Sequence, residues 1–561
     1  MIRLVTITLL AIITSATLPR THGEAAAHPA ATCSPELALP PGFCATVFAD
    51  RLGHVRHMAV AGDGTVYANN MGGRDAGDPA RPGLVILRDT HGTGQADRIL
   101  RPFPAVAGGT GVALYGGYVY VEDGARIVRH RLNPAGADPR AEVVLSGLPT
   151  AGDHHSHTIV ITPDGTLYVN SGSATNACQR DNRKAGSPGL QPCDEKAMRA
   201  GIWRYRADRL GQNFAPAARY ASGIRNAVGM ALDQQGHLFA TQHGRDQLHE
   251  NWPALYTGDQ GQNLPAETLL QVDARADYGW PECYLDPRQK RLVLAPEYGG
   301  DGGHATGPCA ARKAPVAAFP AHWAPNDLAI YTGRQFPQAY RGGAFIAFHG
   351  SWNRAPGPQD GFNVVFQPLA QGRPAGAIVM FADGFAGPGK AAGNARYRPT
   401  GLAVGPDGAL YISDDSQGRI WKITYRGSPD APVAPAAAVM AQAASPTTQA
   451  PAHHLALPTG ITEAMVTYGR RLYAGDEAGA GCAGCHGAQA QGTAVGPRLV
   501  NRQWQWSHGD AAGIRATIIA GVAHPKRFSA PMPAYGGAPL NPAQTSALAA
   551  YVWSIGHGGA P

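Results

Sequence analysis

Charge is scarce in this chain: 47 Lys and Arg face 40 Asp and Glu among 561 residues, 16% in all, for a net charge of +7. No run of lysine and arginine stands out, which argues against nucleic-acid recognition, where cations cluster on one face. Long apolar runs are missing as well. Leu4 to Ile13, behind Arg3, is too short for a membrane span and reads as the core of a signal peptide over residues 1–27, cut after Gly23 or near Ala27. The mature chain is expected to carry no transmembrane segment. Glycine (72) and proline (46) are plentiful, which favours short strands and many turns over long helices. The length suits one large domain plus a small one.

Cysteines are few, only eight, and two of them carry the most specific signal. Cys482-Ala483-Gly484-Cys485-His486 is the attachment pattern of a c-type haem. Each thiol reaches one porphyrin vinyl group, and the adjacent histidine falls under the iron. A zinc knuckle or a disulfide hairpin is the competing reading. Met532, the one methionine after the motif, lies in Ala530-Pro531-Met532-Pro533 and is the candidate second axial ligand. With Tyr468 to Tyr473 ahead of the motif and an apolar helix at Ala547 to Ile555, residues 458–561 resemble a class I cytochrome c. The other six cysteines fall into neighbours: Cys33 with Cys44, Cys178 with Cys193, Cys283 with Cys309. Fifteen connectivities are open to them, but an even remainder fits disulfides in an oxidising space. Export with covalent haem points to a periplasm.

Residues 428–457 are rich in Ala and Pro and read as a linker. Before it, residues 33–427 repeat a theme. Gly62-Asp63-Gly64-Thr65-Val66-Tyr67-Ala68 returns as Pro163-Asp164-Gly165-Thr166-Leu167-Tyr168-Val169 and as Pro406-Asp407-Gly408-Ala409-Leu410-Tyr411-Ile412, with weaker echoes at Gly117 and Gly236. Tight turns leading into alternating strands, recurring without long helices, predict an all-β β-propeller ahead of a small all-α haem domain; a six-bladed β-propeller, the architecture that the family resemblance below implies, would leave roughly 65 residues to each blade. A pair of β-sandwiches is the rival architecture.

Four polar clusters lie next to these strands: Asp153-His154-His155-Ser156-His157; Arg225-Asn226 with Gln242-His243-Gly244-Arg245-Asp246; Tyr278-Gly279-Trp280-Pro281; and Asn394-Ala395-Arg396-Tyr397-Arg398. Each alone has a structural explanation. In this order, with Phe348-His349-Gly350-Ser351-Trp352-Asn353-Arg354 and Asp414-Asp415, they resemble the soluble glucose and sorbosone dehydrogenases, enzymes of pyrroloquinoline quinone (PQQ). The resemblance implies that His154, or His155 in its place, takes the substrate hydroxyl proton. It implies that Arg225 and Asn226 contact the quinone, and that the main-chain carbonyls of Gly244 and Arg245 hold calcium. Arg396 and Arg398 would bind the PQQ carboxylates, with Arg354 the substitute for a missing lysine.

One departure matters. The acid that orients the histidine in the glucose-oxidising branch is replaced by Ser173, so Asp153 or a hydroxyl must do the orienting. The expected function is oxidation of an aldose or related aldehyde at PQQ, with electrons passing to the haem and on to a periplasmic or membrane acceptor. The alternatives are a propeller without cofactor, serving as a binding module for a carrier cytochrome, and a calcium-dependent lactonase.

Overall fold

The computed structural model describes residues 32–71, 81–103, 106–354, 358–387, 390, 395–428, 457–474, 482, 486, 490, 492, 496–500, 504–526, 532–537 and 540–557. The signal peptide, nearly all of the linker, Asn394 and Cys485 lie outside the described residues.

Six sheets follow one another along the chain, each built from the inside outwards and antiparallel except where Gln212–Asn213 adds a short parallel edge to the second. Their innermost strands are Val55–Val60, Val112–Tyr115, Ile159–Ile161, Met230–Leu232, Pro325–Ile330 and Pro399–Val404, and each neighbours the next around a closed ring. The last blade is completed by the first strand of the chain. Phe43–Ala49 pairs with Ile420–Tyr425, so the ring closes by joining the two ends of the domain. This is the expected six-bladed propeller.

The repeated turns explain the fold locally. In Ala61–Thr65, Thr162–Thr166 and Gly405–Ala409 the first residue's amide donates to the last carbonyl, at 2.8–2.9 Å. The Asp side chain accepts the amide two residues on (Asp63 from Thr65 at 3.0 Å, Asp407 from Ala409 at 3.1 Å). Gly64, Gly165 and Gly408 all have φ between 81° and 83°, a region that glycine enters without a Cβ penalty. The second strand of the fifth blade, Ala344–Phe348, has no Asp-Gly signature; a Gly342-Gly343 turn leads into it instead.

Polar side chains link each blade to the next. Asn69 Nδ2 donates to Gly111 O (3.0 Å), and Glu122 accepts from His157 Nδ1 (2.9 Å). Thr158 Oγ1 donates to Val228 O, and Thr241 Oγ1 to Pro325 O (2.9 Å). Asp327 accepts from the Leu402 amide (2.7 Å), and Ser413 Oγ donates to Arg56 O (2.6 Å). Each of the six seams is thereby bridged by at least one hydrogen bond of a buried side chain. His157 thus belongs to this scaffold. The disulfides are the neighbour pairs Cys33–Cys44, Cys178–Cys193 and Cys283–Cys309.

In the C-terminal unit, helix Glu463–Ala474 packs on helix Pro542–Gly556, with Ala511–Ala520 beside it. The first crossing is close. A Cβ on Gly469 would fall 1.9 Å from Ala547 O, and the Tyr473 and Tyr551 rings meet at 5.3 Å. Among the described residues, no helix is long and apolar enough to cross a membrane.

Candidate functional site

An inner strand begins at the end of the propeller where the second strand of its blade finishes, so two sets of loops meet at one mouth of the channel. His154, Arg225-Asn226 and Arg398 come from the loops entering inner strands. Ser173, His243-Gly244, His349 and Asp415 follow second strands. One or more residues of each sequence cluster converge here.

His154 Nδ1 lies 2.9 Å from Ser173 O and 3.0 Å from Ser173 Oγ. A carbonyl only accepts, and the Ser173 hydroxyl already donates to Thr175 O (2.6 Å). Nδ1 therefore carries the proton and Nε2 is left as an acceptor, the state a base requires. Burial, and then the Arg225 charge, press the pKa of His154 well below the ordinary imidazole value. His155 is exposed. Asp153 is occupied by Arg183 (3.0 Å) and Asn182, so of the two candidates for orienting the base, the hydroxyl does it, together with its own carbonyl.

Asn226 reaches the same spot. A Cβ on Gly172 would lie 2.5 Å from His154 Cβ and 2.8 Å from Asn226 Oδ1. Arg225 is 3% exposed; its guanidinium donates to Asn176 O (3.0 Å), Asn176 Oδ1 (2.9 Å), Gly244 O (2.8 Å) and Asp246 Oδ2 (3.0 Å). Trp280 Nε1 shares the Asn176 carbonyl (3.1 Å). Burial works against the charge of Asp246, yet the Arg225 and Arg183 cations hold its carboxyl below the usual range. Burial pushes His243 down to about 3, and Glu267, which accepts the Gly244 amide at 2.7 Å, up to about 7.

The remaining arginines divide. Arg398 donates to His349 O (2.9 Å) and Gly350 O (2.8 Å) at the mouth. Arg396 does not join it: its side chain is 58% exposed and pairs with Glu36 at 2.5 Å. The strand begins only at Pro399, and in the loop before it Arg396 lies over the Tyr397 ring, 5.1 Å from its centroid, instead of beside Arg398. Arg354 donates to Pro358 O (2.6 Å) and Asn263 Oδ1 (3.4 Å) at the rim. The Arg245 side chain turns away into a buried pair with Glu297, so only its main chain could serve a cation. Arg56, which has no motif around it, stands at the mouth instead and pairs with Asp415; His349 Nε2 meets Asp415 at 2.8 Å. Sequence reasoning passed over Arg56 because its signal is positional: a lone cation where an inner strand starts.

The groups implied by the sequence fit these residues in part. A carbonyl oxygen has two lone pairs, so Gly244 O can accept Arg225 and still face a hard cation. Arg225, Arg56 and Arg398 offer a trianion the cations it needs, the first two already sharing carboxylates. In the helical unit, His486 is 8% exposed and its Nδ1 donates to Pro497 O at 2.8 Å. That fixes the tautomer with Nε2 free for iron. Cys482 and Met532 pack on the same apolar core, and Met532 exchanges backbone hydrogen bonds with Val522 (2.8 and 2.9 Å).

Fold and site together define a six-bladed β-propeller followed by a cytochrome c module. Residues 37–426 match the family described as TrAA12-like and residues 466–556 match cytochrome c. The chain belongs to the TrAA12-like family. It is 28% identical over 278 residues to a pyrroloquinoline quinone-dependent pyranose dehydrogenase of Coprinopsis cinerea, covering 42% of this chain and 36% of that protein. The chain thus spans about a third of the length of that relative. A subunit of a cbb3-type cytochrome c oxidase, FixPc of Rhizobium leguminosarum bv. viciae, is 38% identical over 77 residues, 13% of this chain and 26% of that one. Among solved structures, the PQQ domain of the C. cinerea pyranose dehydrogenase in its holo form aligns with a TM-score of 0.54 at 20% identity. That alignment covers 70% of this chain and 100% of the domain. A calcium structure of the Trichoderma reesei AA12 enzyme aligns with a TM-score of 0.55 at 19% identity, over 71% and 99%. At these identities the two structures establish the shared fold.

Proposed function

We propose that this protein is a periplasmic quinohaemoprotein that oxidises a pyranose or related aldose at the propeller mouth and passes the electrons to its own c-type haem. The observation that carries the proposal is the convergence of a tautomer-fixed histidine, His154, with Arg225, Asn226 and the Gly244 carbonyl, in one chain with a haem-attachment motif. Similarity to the pyranose dehydrogenase supports the substrate class. When bound, PQQ supplies the two-electron acceptor and calcium the Lewis acid that polarises it.

The chain's own residues do the rest. His154 Nε2 takes the proton of the substrate hydroxyl. Arg225 and Asn226 would contact the quinone, and Gly244 O and Arg245 O would hold the cation. Arg398 and Arg56 would neutralise the cofactor's carboxylates with Arg354 beside them, while Arg396 stays with Glu36. Cys482 and Cys485 would hold the haem covalently, and His486 and Met532 would ligate its iron. A linker of this composition would keep haem and propeller at high mutual concentration.

The reading is tested by titrating purified protein with PQQ and calcium, following the quenching of tryptophan fluorescence, and then offering aldoses with an artificial dye. Saturable quenching and sugar-dependent dye reduction that both need calcium support it. A chain that takes up no PQQ points to the binding module.

A further inference from the structure

The orienting acid missing at Ser173 leaves a question that the loop behind it answers. Ser173 is itself held through its neighbours. The Glu195 carboxylate accepts from the amides of Ala174 and Thr175 (3.2 Å for the latter) and from the Thr175 hydroxyl. Thr175 O is in turn the acceptor of the Ser173 hydroxyl. One carboxylate thus fixes the peptide units on which both acceptors of His154 Nδ1 depend.

Four residues on, Arg199 is 8% exposed and donates to Ala151 O, His154 O (3.2 Å) and Gly172 O (3.4 Å). A buried guanidinium committed to carbonyls bears a large desolvation cost, and burial lowers its pKa while Glu195 counters that. Its three acceptors are the main chain of the base, of the turn before it and of the glycine against which His154 packs. The segment carrying both residues is secured at its start by Cys178–Cys193, and a Glu195 carboxylate oxygen lies within 4.8 Å of both sulfurs. Glu195 grips the acceptor loop, Arg199 grips the histidine's backbone, and the disulfide ties them to one short stretch.

We propose that Glu195 and Arg199 are positioning residues that set the tautomer and aim of His154, doing jointly from behind what a directly bonded carboxylate does elsewhere. The inference rests on His154 being the base of the proposed reaction. Neither residue touches substrate or cofactor; each acts through hydrogen bonds to the segments that hold the imidazole.

The test uses the full chain without added cofactor, with 15N-labelled histidine, the His154 signal being assigned by its loss in His154→Gln. The wild type is expected to show the Nδ1–H tautomer. Glu195→Ala and Arg199→Met are expected to give a tautomer mixture, whereas Glu195→Gln and Arg199→Lys, which keep part of the bonding, retain most of the wild-type signal.

In PQQ-loaded protein the disruptive variants should lose at least tenfold in kcat with KM within threefold. The acid limb of their pH profile should move up towards the ordinary imidazole value as His154 loosens, and PQQ affinity should stay within twofold. An unchanged tautomer and acid limb in Glu195→Ala overturns the proposal, as does a loss that is equal in Glu195→Gln and follows thermal stability alone. If the wild type oxidises no sugar, the reading of the function falls, but the tautomer measurements still decide whether these residues aim His154.

Discussion

Gly172→Ala puts the convergence at the propeller mouth under direct strain. The glycine's backbone is not in the left-handed region, so the substitution adds one methyl group and no torsional penalty. That methyl would sit 2.5 Å from His154 Cβ, 2.8 Å from Asn226 Oδ1 and 3.2 Å from His154 O. Carbon atoms settle at about 3.5–4.0 Å, so His154 or its loop must retreat by roughly 1 Å. Overpacking of this kind costs about 1–3 kcal/mol of stability, and a misplacement of about 1 Å at a reacting group costs on the order of 100-fold in rate. Sugar-dependent dye reduction at saturating PQQ and calcium should therefore fall about 100-fold in kcat, with denaturant unfolding of the propeller shifted by at most a few kcal/mol. Gly62→Ala is the control: its added methyl meets nothing within 4 Å, and both quantities should stay at wild-type values. Wild-type kcat in Gly172→Ala would refute the placement of His154 and Asn226 argued above.

Other perturbations test separate links. Burial holds His57 at about 3, its Nε2 meeting Asn326 O at 2.8 Å. Below the ordinary imidazole value the unfolded chain binds a proton that the native state refuses, so stability falls as pH falls from about 6.5 towards 3, by about 1.4 kcal/mol per pH unit for this one group. His57→Gln should flatten the pH 7 to pH 5 stability loss of the propeller by about 2 kcal/mol, and an unchanged slope would contradict the burial argument. Arg398→Ala should weaken PQQ binding at least tenfold while Arg396→Ala leaves it within twofold, because only the former reaches the mouth; equal effects in a fluorescence titration would reverse that division. Met532→His should lower the haem midpoint potential, since thioether ligation raises it; an unmoved potential would mean that Met532 is not the sixth ligand.

The architecture was largely legible in the residues because its signals are local and repeated. An Asp-Gly turn leading into an alternating strand is written in seven residues, and at Gly64, Gly165 and Gly408 its glycine takes the positive φ the turn requires. Where the turn is Gly-Gly with no aspartate the signal fades: Gly116-Gly117 left a weak echo, and Gly342-Gly343 before Ala344–Phe348 left none. The haem motif and the disulfide pairs were equally legible, neighbouring cysteines in sequence proving to be neighbours in space. The site was readable only in outline. His154, Arg225 and Asn226 carry motif context, whereas Arg56, Asn176, Glu195 and Arg199 act by long-range geometry that no local pattern encodes. Arg396 failed for a related reason: two residues from Arg398 in sequence, it faces a different partner, Glu36, brought there by the closing strand of the ring.

The central claim is that oxidation at the propeller feeds the haem of the same chain. It is tested most directly by single-turnover haem reduction after rapid mixing of aldose with the PQQ- and calcium-loaded protein, followed by absorbance over a range of protein concentrations. The account expects reduction that needs sugar, PQQ and calcium and whose rate does not change with protein concentration. A rate that rises in proportion to concentration, or a haem that stays oxidised while the dye is reduced, would contradict it.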